Sequence, residues 1–162
     1  MIVIQYVARF DGPKSEGLLR WGSESFSASS GPDGAGTIPV GDYDIEIDGV
    51  VENPADEYCA KDGNKRICFF IPVEPHAQFN RDGFGIHPNA NAPELFGCLV
   101  LAAGAARSFW KKWKSTTKGN LPTVLKVKAR ETNSATTVKR QKQPTKRAGA
   151  PPNRKASRAR RS

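Results

Sequence analysis

The sequence is poor in the side chains that most often carry out chemistry, with two histidines and three cysteines in 162 residues. His76, His87 and Cys98 do not show the close paired spacing of structural zinc sites, so we expect no metal and no cofactor. The sequence also has no run of about 18 apolar residues, which excludes a transmembrane helix.

Acidic residues are absent from residues 139–162, which contain ten Lys or Arg. Up to Arg130 the charges balance, with 15 basic and 15 acidic residues, so the net charge of +9 belongs mainly to the tail. We predict one folded domain over residues 1–128 and a basic, disordered tail over residues 129–162. The tail is either simply solvated or attaches to a polyanion such as nucleic acid, an anionic wall polymer or a carrier protein.

The N-terminus does not have the features of a signal peptide. Residues 1–8 are largely apolar, but they lack a basic n-region and run directly into Arg9 and Asp11. If the protein acts outside the cytoplasm, a route other than general secretion must carry it.

Short alternating apolar runs and Gly- or Pro-rich turns dominate the first 128 residues, which predicts a mainly β fold: an antiparallel sandwich or small barrel-like sheet. One helix is predicted over residues 102–114, where apolar side chains recur at spacings of three and four. Residues 27–36 are predicted to form a loop. The predicted strands are residues 2–10, 17–26, 43–48 and 123–128, with a hairpin over residues 58–73.

Cys59 and Cys68 flank a strong hairpin-turn signal, Asp62-Gly63. Two cysteines facing each other across a hairpin form a disulfide in an oxidising compartment, or remain two free thiols in a reducing one. In both cases Cys98 is left over, and a leftover thiol is a candidate reactive group.

The chemistry is expected in residues 81–101. His87 and Cys98 lie at the edges of two short apolar runs, separated by a Pro- and Asn-rich loop. An imidazole that takes the thiol proton makes a nucleophile, and the backbone N–H groups of Gly97 and Cys98 could form an oxyanion hole. This is the chemistry of acyl transfer through a thioester. The alternative is an ordinary buried strand with a loop-edge histidine.

Gly85-Ile-His87, followed by a loop and Gly97-Cys98-Leu-Val-Leu, resembles the catalytic motif of L,D-transpeptidase (YkuD-type) domains. Upstream, residues 26–31 and Thr37-Ile-Pro-Val-Gly-Asp-Tyr-Asp-Ile45 are similar to that family's Ser-Gly strand end and Pro-x-Gly-x-Tyr strand entry. The order of strands, His, Cys, helix and final strand also matches, and the resemblance covers about residues 1–128.

The resemblance implies a role for several residues. Cys98 would be the nucleophile, His87 the general base, and Gly97 a backbone donor. Arg81 would bind a substrate carboxylate, or be a solvated surface arginine. A second group of three would line the substrate pocket, or be turn and packing residues: Ser30, Gly31 and Tyr43.

The sequence departs from the family pattern at three positions. Leu95 and Phe96 stand where the family usually has a polar residue, and Val100 replaces an arginine often found there. The family's usual Ser or Thr hydroxyl at this place, which would orient the substrate or the His–Cys pair, is therefore missing here.

The short spacing between His87 and Cys98 is similar to that of a compact subset that includes type VI secretion effectors. The resemblance implies cleavage or exchange of the terminal D-amino acid of peptidoglycan stem tetrapeptides, in the periplasm of a target cell. It also implies a secretion carrier and a cognate immunity protein as partners. Two alternatives remain: a polyanion- or nucleic-acid-binding protein that uses the tail, and a catalytically inactive structural relative.

Overall fold

The computed structural model describes residues 1–11, 14–31, 37–79, 83–88 and 98–130. One compact unit comprises Met1–Arg130, close to the predicted domain of residues 1–128. The prediction of a disordered tail falls almost entirely on residues outside the described part.

The described residues contain ten strands and one α-helix, so the mainly β prediction is confirmed. The helix, α1, is Ala103–Ser115, within one residue of its predicted position. Short 3-10 helices cover Ile47–Gly49, Asp56–Tyr58 and Lys118–Asn120. The strands are β1 (Val3–Asp11), β2 (Lys14–Trp21), β3 (Glu24–Ser30), β4 (Gly41–Ile45), β5 (Cys59–Asp62), β6 (Lys65–Cys68), β7 (Ile71–Pro75), β8 (Gly85–Pro88), β9 (Leu99–Leu101) and β10 (Val124–Ala129).

Eight strands close into a barrel in the order β1-β10-β4-β7-β8-β9-β3-β2, while β5 and β6 form a separate two-stranded sheet. The predicted antiparallel arrangement is wrong at two places, because β1 pairs with β10 and β8 pairs with β9 in parallel. Parallel neighbours need a crossover rather than a hairpin, and alternation along a strand does not reveal the direction of its partner.

Residues 17–26, predicted as one strand, are split by a turn at Gly22 and Ser23. Gly22 has a φ of +62°, which a glycine adopts without steric cost. The chain then forms β3 through residues 24–30, part of which was predicted as loop. This prediction was wrong because serines dominate the strand, and serine is as typical of loops as of exposed strand faces.

The barrel interior is filled by every second residue of each strand, as the pleat requires. Ile86, Leu99 and Leu101 belong to this interior set and are fully buried. Helix α1 packs on the barrel through Phe109 and Trp113, whose rings contact Trp21. Among the described residues, no helix is long and apolar enough to cross a membrane.

Candidate active site

The parallel pairing of β8 and β9 brings His87 and Cys98 together on the same sheet face. Ile86 pairs with Leu99 and His87 with Val100, so Cys98, one residue earlier, lies beside Gly85. Residues two apart on a strand share a face, which places Cys98 and His87 diagonally across the two strands. Since Ile86 and Leu99 point into the barrel, this pair lies on its outer face.

This outer face is nonetheless covered. His87 is fully buried and Cys98 is 3% exposed. The cover comes from the β5–β6 hairpin and its flanks, where Tyr58 and Phe70 contact the His87 ring. Cys59 and Cys68 are joined in a disulfide at the base of this hairpin, which confirms one of the two predicted alternatives.

Among the described residues, His87 makes one side-chain hydrogen bond and its other ring nitrogen has no partner. Its Nδ1 lies 2.7 Å from the carbonyl oxygen of Pro88, and because a carbonyl only accepts, Nδ1 carries the proton. Nε2 therefore has the lone pair, and it is buried with no partner among the described residues. Burial lowers the pKa of His87 to about 4, despite the opposing effect of the bond to Pro88. His87 is thus neutral at pH 7, in the tautomer that a general base at Nε2 requires.

Cys98 is a neutral thiol in this structure. Burial raises the pKa of the thiol to about 11, partly offset by the backbone N–H of Gly85. The thiol donates a long hydrogen bond, 3.7 Å, to the carbonyl oxygen of Gly83. Both groups are desolvated, and burial favours their neutral forms. The expected thiolate–imidazolium ion pair is therefore not formed between Cys98 and His87, both of which the structure describes.

Ser30 and Tyr43 do not lie with Cys98 and His87. The pairing of Ala28 with Leu101 puts the buried side of β3, including Ser30, on the interior face. Ser30 Oγ accepts a 2.7 Å hydrogen bond from the backbone N–H of Ile38. Tyr43 is fully buried on the interior side of β4, and its hydroxyl donates to the Pro39 carbonyl at 2.7 Å. Both residues pack inside the barrel, which agrees with the packing alternative predicted for them, and their pocket role stays a prediction.

The other predicted site residues are placed only in part. Gly31 follows β3 with a φ of +82°, as its turn alternative requires. Arg81 and Gly97 lie outside the described residues, as do Leu95 and Phe96. Within the described ranges, no three His, Cys, Asp or Glu side chains group as metal ligands. His76 is exposed, with Nε2 2.8 Å from a carboxylate oxygen of Asp44.

Three residues at the site were not predicted from the sequence: Tyr58, Phe70 and Gly85. Tyr58 immediately precedes Cys59, and Phe70 follows Cys68 by two residues. Gly85 shares the face of His87, two positions before it. These residues lie next to the two cysteines and the histidine in the sequence. If Cys59 and Cys68 form a disulfide, that position alone indicates that they lie near His87.

The positive charge of α1 and the following turn is largely neutralised. Four basic residues form ion pairs with acidic residues elsewhere in the barrel and its hairpins: Arg107 with Asp62, Lys112 with Glu24, Lys114 with Glu52, and Lys118 with Asp48.

Comparisons with known proteins give no match: no family model, no curated protein and no solved structure is similar to this chain at a significant level. The assignment of function consequently depends on the site geometry and on the sequence motifs.

Proposed function

We propose that the chain is a cysteine acyltransferase of the L,D-transpeptidase type, which acts on peptidoglycan stem tetrapeptides through a thioester on Cys98. The observation that carries the proposal is the placement of His87 and Cys98 on one face of two paired strands. The unpartnered, unprotonated Nε2 of His87 adds a base at the same place. The Pro-Val-Gly-Asp-Tyr sequence at the entry to β4 supports the same family.

The reaction begins from two neutral groups. As Cys98 Sγ attacks the carbonyl carbon that precedes the terminal D-alanine, the thiol proton moves to His87 Nε2. The C–N bond then breaks, and the leaving amine takes that proton from His87. The product is a thioester between Cys98 and the shortened stem peptide, plus free D-alanine.

The thioester has two fates. Water attacks it with His87 as the base, which returns the thiol and leaves a carboxylate, the L,D-carboxypeptidase reaction. Alternatively the amine of another D-amino acid attacks, which gives exchange or cross-linking. Both steps regenerate Cys98 and neutral His87, so neither needs a cofactor.

General-base catalysis suits this site better than a preformed ion pair. Both groups are neutral at pH 7, because the pKa of Cys98 is raised and that of His87 is lowered. Substrate binding must also expose Cys98, since this residue is only 3% exposed.

The test is incubation of the full chain with purified tetrapeptide muropeptides, with and without an added D-amino acid. We expect tripeptide products without the D-amino acid and exchanged tetrapeptides with it. Cys98→Ala and His87→Gln should abolish both, whereas His76→Gln, the matched histidine control, should retain both. Identical product profiles from wild type and Cys98→Ala would refute the proposal.

We also propose that the enzyme is an antibacterial effector that works in the periplasm of a target cell, together with a secretion carrier and an immunity protein. This step depends on the sequence resemblance to the compact subset. Expression behind an added periplasmic targeting sequence should be toxic, and the untargeted chain should not. Toxicity that persists in Cys98→Ala would contradict the idea.

A further inference from the structure

Two aromatic rings hold the imidazole of His87 from two directions. The ring of Phe70 stacks on it, with centroids 6.0 Å apart and planes inclined by 17°. The ring of Tyr58 meets it edge-on, with centroids 5.1 Å apart and planes inclined by 81°. Tyr58 and Phe70 also contact each other at 5.0 Å. We refer to Tyr58 and Phe70 as the aromatic cap.

The barrel wall leaves room for this cap. Gly85 lies on the same face of β8 as His87, and the ring of Phe70 occupies the space that a side chain at Gly85 would need. Phe70 is also fixed by its backbone, which exchanges two hydrogen bonds of 2.9 Å with Val51. The position of the Phe70 ring is therefore set by strand β8 beneath the ring and by the hydrogen bonds that join the Phe70 backbone to Val51.

The disulfide lies between the two halves of the cap. Cys59 pairs with Cys68 across β5 and β6, and Tyr58 and Phe70 lie just outside this pair. The β5–β6 sheet is separate from the barrel ladder, so no barrel strand pairing fixes Tyr58. The covalent link adds to the β5–β6 ladder in keeping the chain before β5 next to the chain after β6.

We propose that Tyr58 and Phe70 are positioning residues that orient the His87 ring and keep water from it, and that the Cys59–Cys68 disulfide holds this cap closed. The importance of the cap for catalysis rests on the proposed function. Its orientation of the His87 ring and its exclusion of water from that ring do not. Burial of the imidazole disfavours its charged form, so His87 stays unprotonated at Nε2 to lower pH but is a weaker base than an exposed histidine.

Among the described residues, the titratable groups that face His87 are Tyr58 and Cys98, and both are neutral at pH 7. Tyr58 faces it from the hairpin, and burial together with the charge of Glu57 raises the pKa of that hydroxyl. Cys98 shares its face from the neighbouring strand and is a neutral thiol. In the described part of the chain, the hairpin and its flanks form exposed ion pairs, Arg107 with Asp62 and Arg66 with Asp56. Burial is therefore the dominant influence on the pKa of His87, and the aromatic cap provides much of that burial.

The experiment is an NMR titration of the His87 ring protons in the full chain. In wild type we expect a pKa near 4. In Phe70→Leu, in Tyr58→Leu and in the double variant Cys59→Ser/Cys68→Ser, the pKa should rise toward the ordinary histidine value of about 6.5. Phe70→Tyr keeps the ring and should restore the low value. The matched control is Phe79→Leu, because Phe79 contacts Phe84 rather than His87.

A low pKa that persists in all three variants would overturn the proposal. Wild type treated with a thiol reductant gives the same readout without a substitution, should a variant fail to fold. On muropeptides, the acid limb of the kcat/KM profile should move to higher pH along with the His87 pKa. If wild type shows no activity while the His87 pKa still moves, the proposed function fails and the positioning role stands.

Discussion

The ring of Phe70 occupies the space in which a side chain at Gly85 would begin. We therefore expect Gly85→Ala to destabilise the protein by about 1–3 kcal/mol, the typical cost of adding a methyl group to packed surroundings. The displaced ring would also uncover His87. Urea unfolding measures the first effect, and the His87 titration measures the second.

Gly104 provides the control for Gly85, because a Cβ there would meet nothing within 4 Å. It lies in the first turn of α1, where alanine is favoured over glycine by up to about 1 kcal/mol. Gly104→Ala should be neutral or stabilising. Equal effects of the two substitutions would mean that the space at Gly85 is not occupied in solution.

Substitution of Ser30 distinguishes a packing role of this residue from a substrate-binding role. Its Oγ accepts the buried backbone N–H of Ile38, so Ser30→Ala leaves that donor without this partner and should cost about 1–3 kcal/mol. The exposed Ser27 on the same strand is the control, and Ser27→Ala should change stability by less than about 0.5 kcal/mol. We expect Ser30→Ala to leave KM for muropeptides unchanged. A raised KM with unchanged stability would restore the pocket role implied by the family resemblance.

The parts of the fold that could be predicted from the sequence are those defined by interactions between residues close together in the chain. The helix was located within one residue because Ala106, Phe109 and Trp113 recur at helical spacing and all three are buried. The hairpin followed from a local turn signal, which also placed Cys59 opposite Cys68 but left open whether they form a disulfide. The parallel pairings could not be predicted in the same way, since they join segments distant in sequence and depend on barrel closure.

The candidate site was predicted in part for the same reason. The sequence identified Cys98 and His87, and the structure adds that they share one face of paired strands. The two alternatives for Tyr43, pocket and packing, could not be separated from the sequence because a strand-entry motif does not state which face a residue occupies. The aromatic cap was missed because Tyr58 and Phe70 reach His87 only through the folding of a hairpin that lies outside the barrel ladder.

Alkylation of Cys98 should reveal its buried, neutral state. Because burial raises the pKa of the thiol to about 11, iodoacetamide should react slowly at pH 7 and faster with every rise in pH through pH 10. The unfolded chain is the control and should show an inflection near the ordinary cysteine value of about 8.5. His87→Gln should leave the native profile nearly unchanged, since no hydrogen bond joins the two groups in the structure. An inflection of native wild type below pH 8 would show a preformed thiolate instead.

His87 should make the stability of the protein depend on pH between about 4 and 6.5. The folded pKa is lowered to about 4, whereas the unfolded chain has the ordinary value of 6.5. Within this window the unfolded state binds the proton and the folded state does not, so the free energy of unfolding falls as the pH falls. The full loss is about 3 kcal/mol, at about 1.4 kcal/mol for each pH unit.

Urea unfolding at pH 7, 6 and 5 avoids most carboxylate titration. Wild type and His76→Gln should lose stability over this range, and His87→Gln should lose much less. An equal loss in His87→Gln would show that His87 is not buried as a neutral ring.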